Sequence, residues 1–257
     1  MQITTVSSER HGNKAWQKPM NYSFAAQMAW LPLTAAEMPK AALAAPIGFM
    51  QTERGFMPIL LMGLEPKKNL FVTHNGQWLC DYYPISLRHY PFQLGISNDE
   101  QALLCVDEAS GLLSEVPTDG TLTQGEPLFN AQGQPTPALQ AILDELMVHE
   151  DNRLKTLASC AIINDHELFE PWPITTRKED TVQRLEGVYR INERRLKGLK
   201  AHALEALNAV DALALAYCQL ISTQKLDTLI VLVNAHAVVD KRTAQDSESE
   251  EFFLVNS

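Results

Sequence analysis

Residues 46–107 read PIGFMQTERGFMPILLMGLEPKKNLFVTHNGQWLCDYYPISLRHYPFQLGISNDEQALLCVD. Apolar runs of strand length alternate here with turn signals such as Glu65-Pro66 and Asn75-Gly76. The connections are too short for crossover helices, so this stretch predicts a mostly antiparallel sheet with a hairpin at Asn75-Gly76. The predicted strands are 46–50, 57–64, 69–72, 78–84, 91–96 and 102–107.

The apolar period becomes helical from Thr136 onward. Thr136 is a predicted N-cap, and Pro137 occupies the first helical position. The polar stretch 149–153 is a candidate break that would divide this segment into two helices. Later in the chain, the apolar positions predict one long helix over 204–221 and a last helix over 226–233.

Two extended segments interrupt the helical half. Pro171 and Pro173 predict an extended conformation for 168–174. Residues 182–191 predict one or two short strands around Gly187, and Asn192 is a predicted cap for the helix that follows.

The overall prediction is an α+β fold, with a mostly antiparallel β N-terminal half packed against a helical C-terminal half. Residues 1–29 are polar at first and lack a clear period, which predicts a loosely attached N-terminal arm. Residues 30–239 are predicted to form one domain, β-rich over 45–135 and helix-rich over 136–239. The charged residues 240–257 predict a flexible acidic tail.

Composition narrows the function classes. The 257 residues include 21 Lys and Arg against 31 Asp and Glu, a net charge of −10, which argues against binding to a phosphate backbone. No stretch reaches the roughly 18 apolar residues of a membrane span, and residues 1–20 lack the apolar run of a secretory signal. The four cysteines are dispersed and predict neither a zinc site nor a dithiol motif. These features predict a cytoplasmic protein.

The block Trp78–Phe92 concentrates aromatic side chains around one arginine and one histidine. Arg88 could clamp a carboxylate or phosphate while the aromatic rings form a stacking wall. Alternatively, the aromatics belong to the core, and Arg88 pairs with Asp81 or caps a helix end. The candidate ligand-binding residues are Trp78, Tyr82, Tyr83, Arg88, His89, Tyr90 and Phe92, together with Asp107 at a predicted strand end, where acidic residues also commonly begin turns.

A metal site is the alternative interpretation of the histidines. His149 and Asp151 have the spacing of the first two ligands of a non-haem iron facial triad, and His202 or His236 could supply the third. Residues two apart on a helix do not share a face, however, and the predicted helix there favours an exposed polar turn instead. The sequence contains none of the patterns GxSxG, GxxxxGK[ST], GxGxxG or HExxH.

Several segments, in order, resemble the bacterial SapC-like family. They are WLPLTAAEMPKAALAAPIGF (30–49), MGLEPKKNLFVTHNGQWLCDYYPISLRHYPF (62–92), LLCVDEASGLL (103–113), GEPLFNAQGQPTPAL (125–139) and LEGVYRINERRLKGL (185–199). The family takes its name from a protein encoded with a bacterial surface layer. Genes of such proteins also occur near those for TonB-dependent receptors, flavin-dependent halogenase-like proteins and cupin-like oxygenases.

The resemblance implies an accessory or binding protein in bacterial nutrient uptake, peptide modification or an envelope-related pathway. Its expected partner is a protein, a peptide or a small molecule, and a homodimer is possible. The alternative hypothesis is an oxygenase that uses Fe(II) and 2-oxoglutarate on a peptide or small metabolite. That alternative rests on His149 and Asp151 and on the cupin-like neighbours of the family.

Overall fold

The computed structural model describes residues 2–96, 101–116, 125–178 and 181–239 of the chain. The strands are β1 (Ile3–Thr5), β2 (Lys14–Trp16), β3 (Trp30–Pro32), β4 (Ile47–Thr52), β5 (Gly55–Leu61), β6 (Phe92–Ile96), β7 (Ala102–Asp107), β8 (Leu113–Glu115), β9 (Glu126–Pro127), β10 (Phe169–Pro171), β11 (Thr175–Lys178), β12 (Thr181–Arg184) and β13 (Val188–Ile191). The helices are α1 (Ser8–His11), α2 (Met38–Ala41), α3 (Ile85–Arg88), α4 (Pro137–Asp165), α5 (Glu193–Lys197), α6 (Ala201–Ala209), α7 (Ala212–Ser222) and α8 (226–239).

A five-stranded antiparallel sheet joins the two halves of the chain. Its strand order is β10-β13-β4-β5-β3, so β13 from the helical half pairs with β4 from the β-rich half. Gly48 permits this close approach, because a Cβ atom there would lie 2.6 Å from Cγ1 of Val188. With antiparallel sheets in the first half and mostly helices in the second, the predicted α+β class is confirmed.

Two separate groups of buried apolar residues stabilise the molecule. The main core lies between the five-stranded sheet and helices α4, α6 and α7, and its largest fully buried side chains include Phe49, Ile59 and Phe71. The second core is smaller. It contains Trp16, Phe92, Val106, Leu128, Leu139, Ile142 and Leu146.

The N-terminal segment is integrated into the fold, so the loose attachment predicted for residues 1–29 is wrong. Strand β1 pairs with β7, and β2 lies between β8 and β9. The ring of Trp16 is buried against Phe92, with ring centroids 5.3 Å apart. No local pattern indicates this pairing, because the partner strands lie about 100 residues downstream.

Helix α4 runs without a break over 29 residues, so the predicted division at 149–153 is wrong. The stretch contains no proline or glycine, and Arg153 donates hydrogen bonds to Glu150 over one helical turn. The predicted start is confirmed, since the backbone N–H of Leu139 donates to the hydroxyl of Thr136.

The single helix predicted over 204–221 is two helices. The chain turns by 91° between α6 and the helical run that begins at Ala212, and Asp211 adopts a left-handed conformation with φ 56°. The hydroxyl of Ser159 donates to the carbonyl of Val210 at 2.6 Å, which satisfies an acceptor that the break leaves open. This tertiary contact stabilises a turn that lacks proline or glycine.

Several local predictions agree with the structure. Residues 72–78 fold back on themselves, but the pairing is one bridge between Val72 and Trp78 rather than two strands over 69–72 and 78–84. Asn192 caps α5 as predicted, accepting from the N–H of Arg195. The predicted tail 240–257 lies outside the described residues. Within the described ranges no single helix is long and apolar enough to cross a membrane; α6 and the run Ala212–Val239 meet that test only as a bent pair.

Candidate functional site

A cleft of about 310 Å³ lies where the main core meets the second core. Its walls come from β3, α3, β6 and the middle of α4, and most of them are apolar. We call it the His149 cleft. Apolar lining with a few polar atoms is typical of small-molecule sites. Its lining includes Phe24, Leu31, Ser86, Tyr90, Leu146 and His149.

One wall of the cleft is a pair of stacked aromatic rings. The rings of Phe24 and Tyr90 are parallel within 4°, with centroids 3.9 Å apart. Burial raises the pKa of the Tyr90 hydroxyl, and the neighbouring carboxylate of Asp107 raises it further. Tyr90 is therefore neutral at ordinary pH, and its ring contributes an uncharged aromatic surface to the cleft.

Two polar side chains that line the cleft each hold a buried atom without a hydrogen bond. Within the described part of the chain, neither Nδ1 of His149 nor Oγ of Ser86 has a partner. The carboxylate beside the imidazole is that of Glu37, whose Oε2 lies 3.7 Å from Nδ1, beyond hydrogen-bonding distance. Buried polar atoms are normally satisfied, so these two atoms are candidates for a hydrogen bond to a ligand once either side chain rotates toward the cavity.

Glu37 is a buried carboxylate with several fixed donors, only 4% exposed. Its Oε2 accepts from the backbone N–H and the hydroxyl of Thr34, at 2.9 and 3.0 Å. Its Oε1 accepts from the hydroxyl of Tyr82 at 2.8 Å and from the N–H of Ile85 at 3.1 Å. Four donors match the acceptor sites of an ionised carboxylate, so Glu37 fixes the start of α3 behind His149.

The carboxylates beside the cleft are paired with hydrogen-bond donors. Arg153 donates to both carboxylate oxygens of Glu150, at 2.7 and 2.6 Å, and thereby lowers the pKa of that carboxyl. Burial raises the pKa of Tyr82, and the charge of Glu37 adds to this effect. The imidazole of His149 lies between the carboxylate of Glu37 and the apolar cavity. In this position it can form a hydrogen bond with the head group of a ligand.

The structure brings only part of the predicted ligand-binding set to this cleft. Tyr90 and Phe92 line it. Tyr82 is buried behind it on Glu37. Asp107 is also buried and accepts from the backbone N–H of Gln2 at 2.7 Å, so it anchors the N-terminal segment. His89 lies 2.9 Å from Glu145, and burial lowers its pKa.

The other predicted residues lie elsewhere. Trp78 and Tyr83 form an aromatic cluster with Tyr22, with ring centroids 5.0 to 5.8 Å apart. Arg88 is exposed, lies outside the lining of the cleft and donates to the carbonyl of Tyr83 at 3.2 Å. This geometry favours a structural role for Arg88 over ligand binding. Its partner is the carbonyl of Tyr83, whereas the sequence suggested Asp81.

The structure does not bring together the side chains that the alternative metal site would need. Among the described residues, no group of three or more His, Cys, Asp or Glu side chains is placed to hold a metal ion. His149 faces the cleft from α4, whereas Asp151 is exposed on the same helix and His202 is exposed on α6. The three proposed iron ligands therefore do not fit an iron centre.

The cysteines do not supply a nucleophile either. All four are free, and the structure places Cys80, Cys105 and Cys160 in buried positions. Burial raises the pKa of Cys160 to about 12 and also raises that of Cys80 and Cys218. These three thiols stay protonated at ordinary pH and behave as small apolar groups.

Sequence reasoning missed the roles of Glu37, Ser86 and Phe24. One signal was present for Glu37, because Thr34-x-x-Glu37 has the spacing of a capping box, and the side chain of Glu37 does accept from the N–H of Thr34. His149 was singled out, but as a metal ligand. Ser86 lies inside the aromatic block without any local pattern that marks it.

Comparison with known proteins gives one match. A family model described as SapC matches residues 6–229, a range that includes every residue of the His149 cleft. No curated protein and no solved structure matches the chain.

Proposed function

Because the chain belongs to the SapC family, we propose that it is a bacterial accessory protein that binds a small ligand in the His149 cleft. The observation that carries this proposal is a largely apolar cavity lined by two polar side chains, Ser86 and His149, each of which holds a buried atom without a hydrogen-bond partner among the described residues. A ligand group that draws both side chains toward the cavity would satisfy these atoms and would be oriented by them.

The geometry favours a ligand with a compact apolar body and a neutral polar head group. A volume of about 310 Å³ lies at the lower end of the range for small-molecule sites. The rings of Phe24 and Tyr90 offer an aromatic surface to the apolar body. An anionic head group is disfavoured because the carboxylates of Glu37 and Glu150 lie nearby and Arg88 lies outside the cleft.

We propose a biological setting from the family resemblance and from the composition. In this proposal the protein acts in the cytoplasm, in a pathway of nutrient uptake, peptide modification or an envelope-related process. There it would bind its ligand and present it to a protein partner. The ligand class inferred from the cleft suits an amide- or hydroxyl-bearing peptide side chain or a small metabolite of that shape.

The test is native mass spectrometry of the full chain, purified gently from its own host. We expect the wild-type protein to carry a bound small molecule that is lost on denaturation. The Ser86→Ala variant should bind that molecule about 5- to 30-fold more weakly and lose most of the occupancy, because a missing hydrogen bond to a buried group costs on the order of 1–2 kcal/mol. Its Tm should stay unchanged or rise slightly, since the removed hydroxyl makes no bond within the described protein.

Ser8→Ala is the matched control, because Ser8 is an exposed serine of α1 that does not line the cleft. It should retain the full occupancy. Wild-type protein that carries no small molecule contradicts the proposal. A bound molecule that Ser86→Ala retains in full shows that the ligand occupies a different site.

A further inference from the structure

The last two helices form one continuous rod with an exposed apolar side. Helices α7 and α8 are joined by the tight turn Thr223–Lys225 and run together from Ala212 to Val239. One side of the rod packs against the main core through Leu215, Ala216 and Leu229. The other side leaves large apolar side chains in solvent, in contrast to the charged outer face of an ordinary surface helix.

The exposed residues follow a heptad spacing. Tyr217, Ile221, Val231 and Val238 are 47%, 56%, 65% and 51% exposed. Gln224, Thr228 and Ala235 are also exposed and lie between these residues. With them, the spacing along the stripe alternates between four and three residues. We call this stripe of seven positions the α7–α8 seam. No position of the seam is Asp, Glu, Lys or Arg, and 228–239 contains none of these four residue types, which is typical of a helix that packs against another helix.

We propose that the α7–α8 seam is the interface between two copies of this chain. A stripe of this kind is self-complementary, as a two-fold interface requires. Together with the flanking side chains of Ile230 and Val239, covering the seam would bury on the order of 800 Å² on each copy, the area of a standard stable interface.

The chain's own C-terminal residues are a poorer occupant of the seam. Residues 240–251 read DKRTAQDSESEE and are mostly charged, and the only apolar run beyond them is FFLV at 252–255. Four extended residues span about 14 Å, whereas the seam from Tyr217 to Val238 is about 31 Å long. A second copy of the rod matches the full length.

The experiment measures the mass of the full chain by light scattering during size-exclusion chromatography over a range of concentrations. We expect wild-type protein at twice its 28.7 kDa chain mass. Val231→Glu and Ile221→Glu should each weaken self-association by about 100-fold or more, because each dimer would bury two unpaired carboxylates. Both positions are exposed in the single chain, so circular dichroism melting should show an unchanged fold.

Val148→Glu is the matched control, since Val148 is a valine on α4 that is 60% exposed and outside the seam. It should remain dimeric.

A wild-type protein that is monomeric at every concentration overturns the proposal, and so does a dimer that both seam variants retain. A dimer that forms only after removal of residues 240–257 assigns the seam to the chain's own tail. Co-sedimentation of a monomer with phosphatidylglycerol vesicles assigns it to a lipid surface. Either result also overturns the proposal.

Discussion

The main core and the second core differ in how their residues are distributed along the chain. The main core spans the chain from Ala25 to Leu229, and it combines the local hairpin of β4 and β5 with the distant pairing of β4 and β13. The second core is smaller. It gathers seven described residues between Trp16 and Leu146, of which Phe92 and Val106 are direct partners in β6 and β7. A loop of about 75 residues must close before Trp16 meets Phe92, so the attachment of Trp16 carries an entropic cost that the hairpins do not.

Helix α4 connects the two cores, and the His149 cleft lies at their junction. Leu139, Ile142 and Leu146 of its first half belong to the second core, whereas Cys160 and Ile163 of its last turns belong to the main core. His149 lies between these two sets. The candidate site is therefore built from residues of both cores, as is common for sites between packed units.

Phe49→Ala in the main core should have the largest effect. The Phe49 side chain is fully buried and packs on the ring of Phe169, with centroids 4.7 Å apart. Its truncation leaves a cavity and should lower the free energy of unfolding by about 3–5 kcal/mol. Urea denaturation followed by circular dichroism measures this loss. A loss below about 1.5 kcal/mol would show that the sheet collapses around the site.

Leu128→Ala in the second core should have a smaller and more local effect. Leu128 is 1% exposed, and its loss should cost about 2–3 kcal/mol. Hydrogen exchange should accelerate in β2, β6 and β7 while β4 and β5 keep their protection, because the second core can open by itself. Equal acceleration in all five strands would contradict this and would make the two cores one cooperative unit.

Acid should weaken the attachment of the N-terminal segment to the rest of the protein. This should be the smallest of the three effects on stability. Hydrogen bonds from Arg10, 2.5 and 2.8 Å long, lower the pKa of Glu108 from 4.5 to about 2. Between these pH values the unfolded chain binds more protons than the folded one, so this stabilisation is full above pH 4.5 and is lost as the pH falls toward 2. Trp16 fluorescence during acid titration reports it.

Glu108→Gln provides the comparison for that titration. The variant lacks the carboxyl, so its stability between pH 4.5 and 2 should fall less steeply than that of the wild type. Identical slopes for the two proteins would show that other carboxyl groups dominate the acid response.

The parts of the fold that sequence predicted are those with local causes. The strands β4, β5, β6 and β7 and their antiparallel pairing follow from apolar runs separated by turn residues. The start of α4 follows from Thr136 and Pro137. The break at Asp211 and the pairing of β2 depend on contacts between distant residues, and no local pattern marks them.

The residues of the candidate site also divide into those that a local pattern predicts and those that depend on tertiary contacts. Tyr90 and Phe92 were predicted from the aromatic block and line the cleft. Arg88, two residues before Tyr90, points elsewhere because the short helix α3 rotates successive side chains to different sides. Ser86 and Glu37 become important only because tertiary packing places one in the cleft and the other behind it.

A ribosome that makes this chain finishes strand β2 long before either neighbour of that strand exists. About 110 residues separate Trp16 from Pro127 in β9, and their synthesis at 5–20 residues per second takes on the order of 10 s. Throughout that interval both edges of β2 and the indole of Trp16 are open to chaperones. The hairpin of β4 and β5 needs no such wait. The nascent chain therefore acquires its second core late, by capturing a strand that was translated among the first.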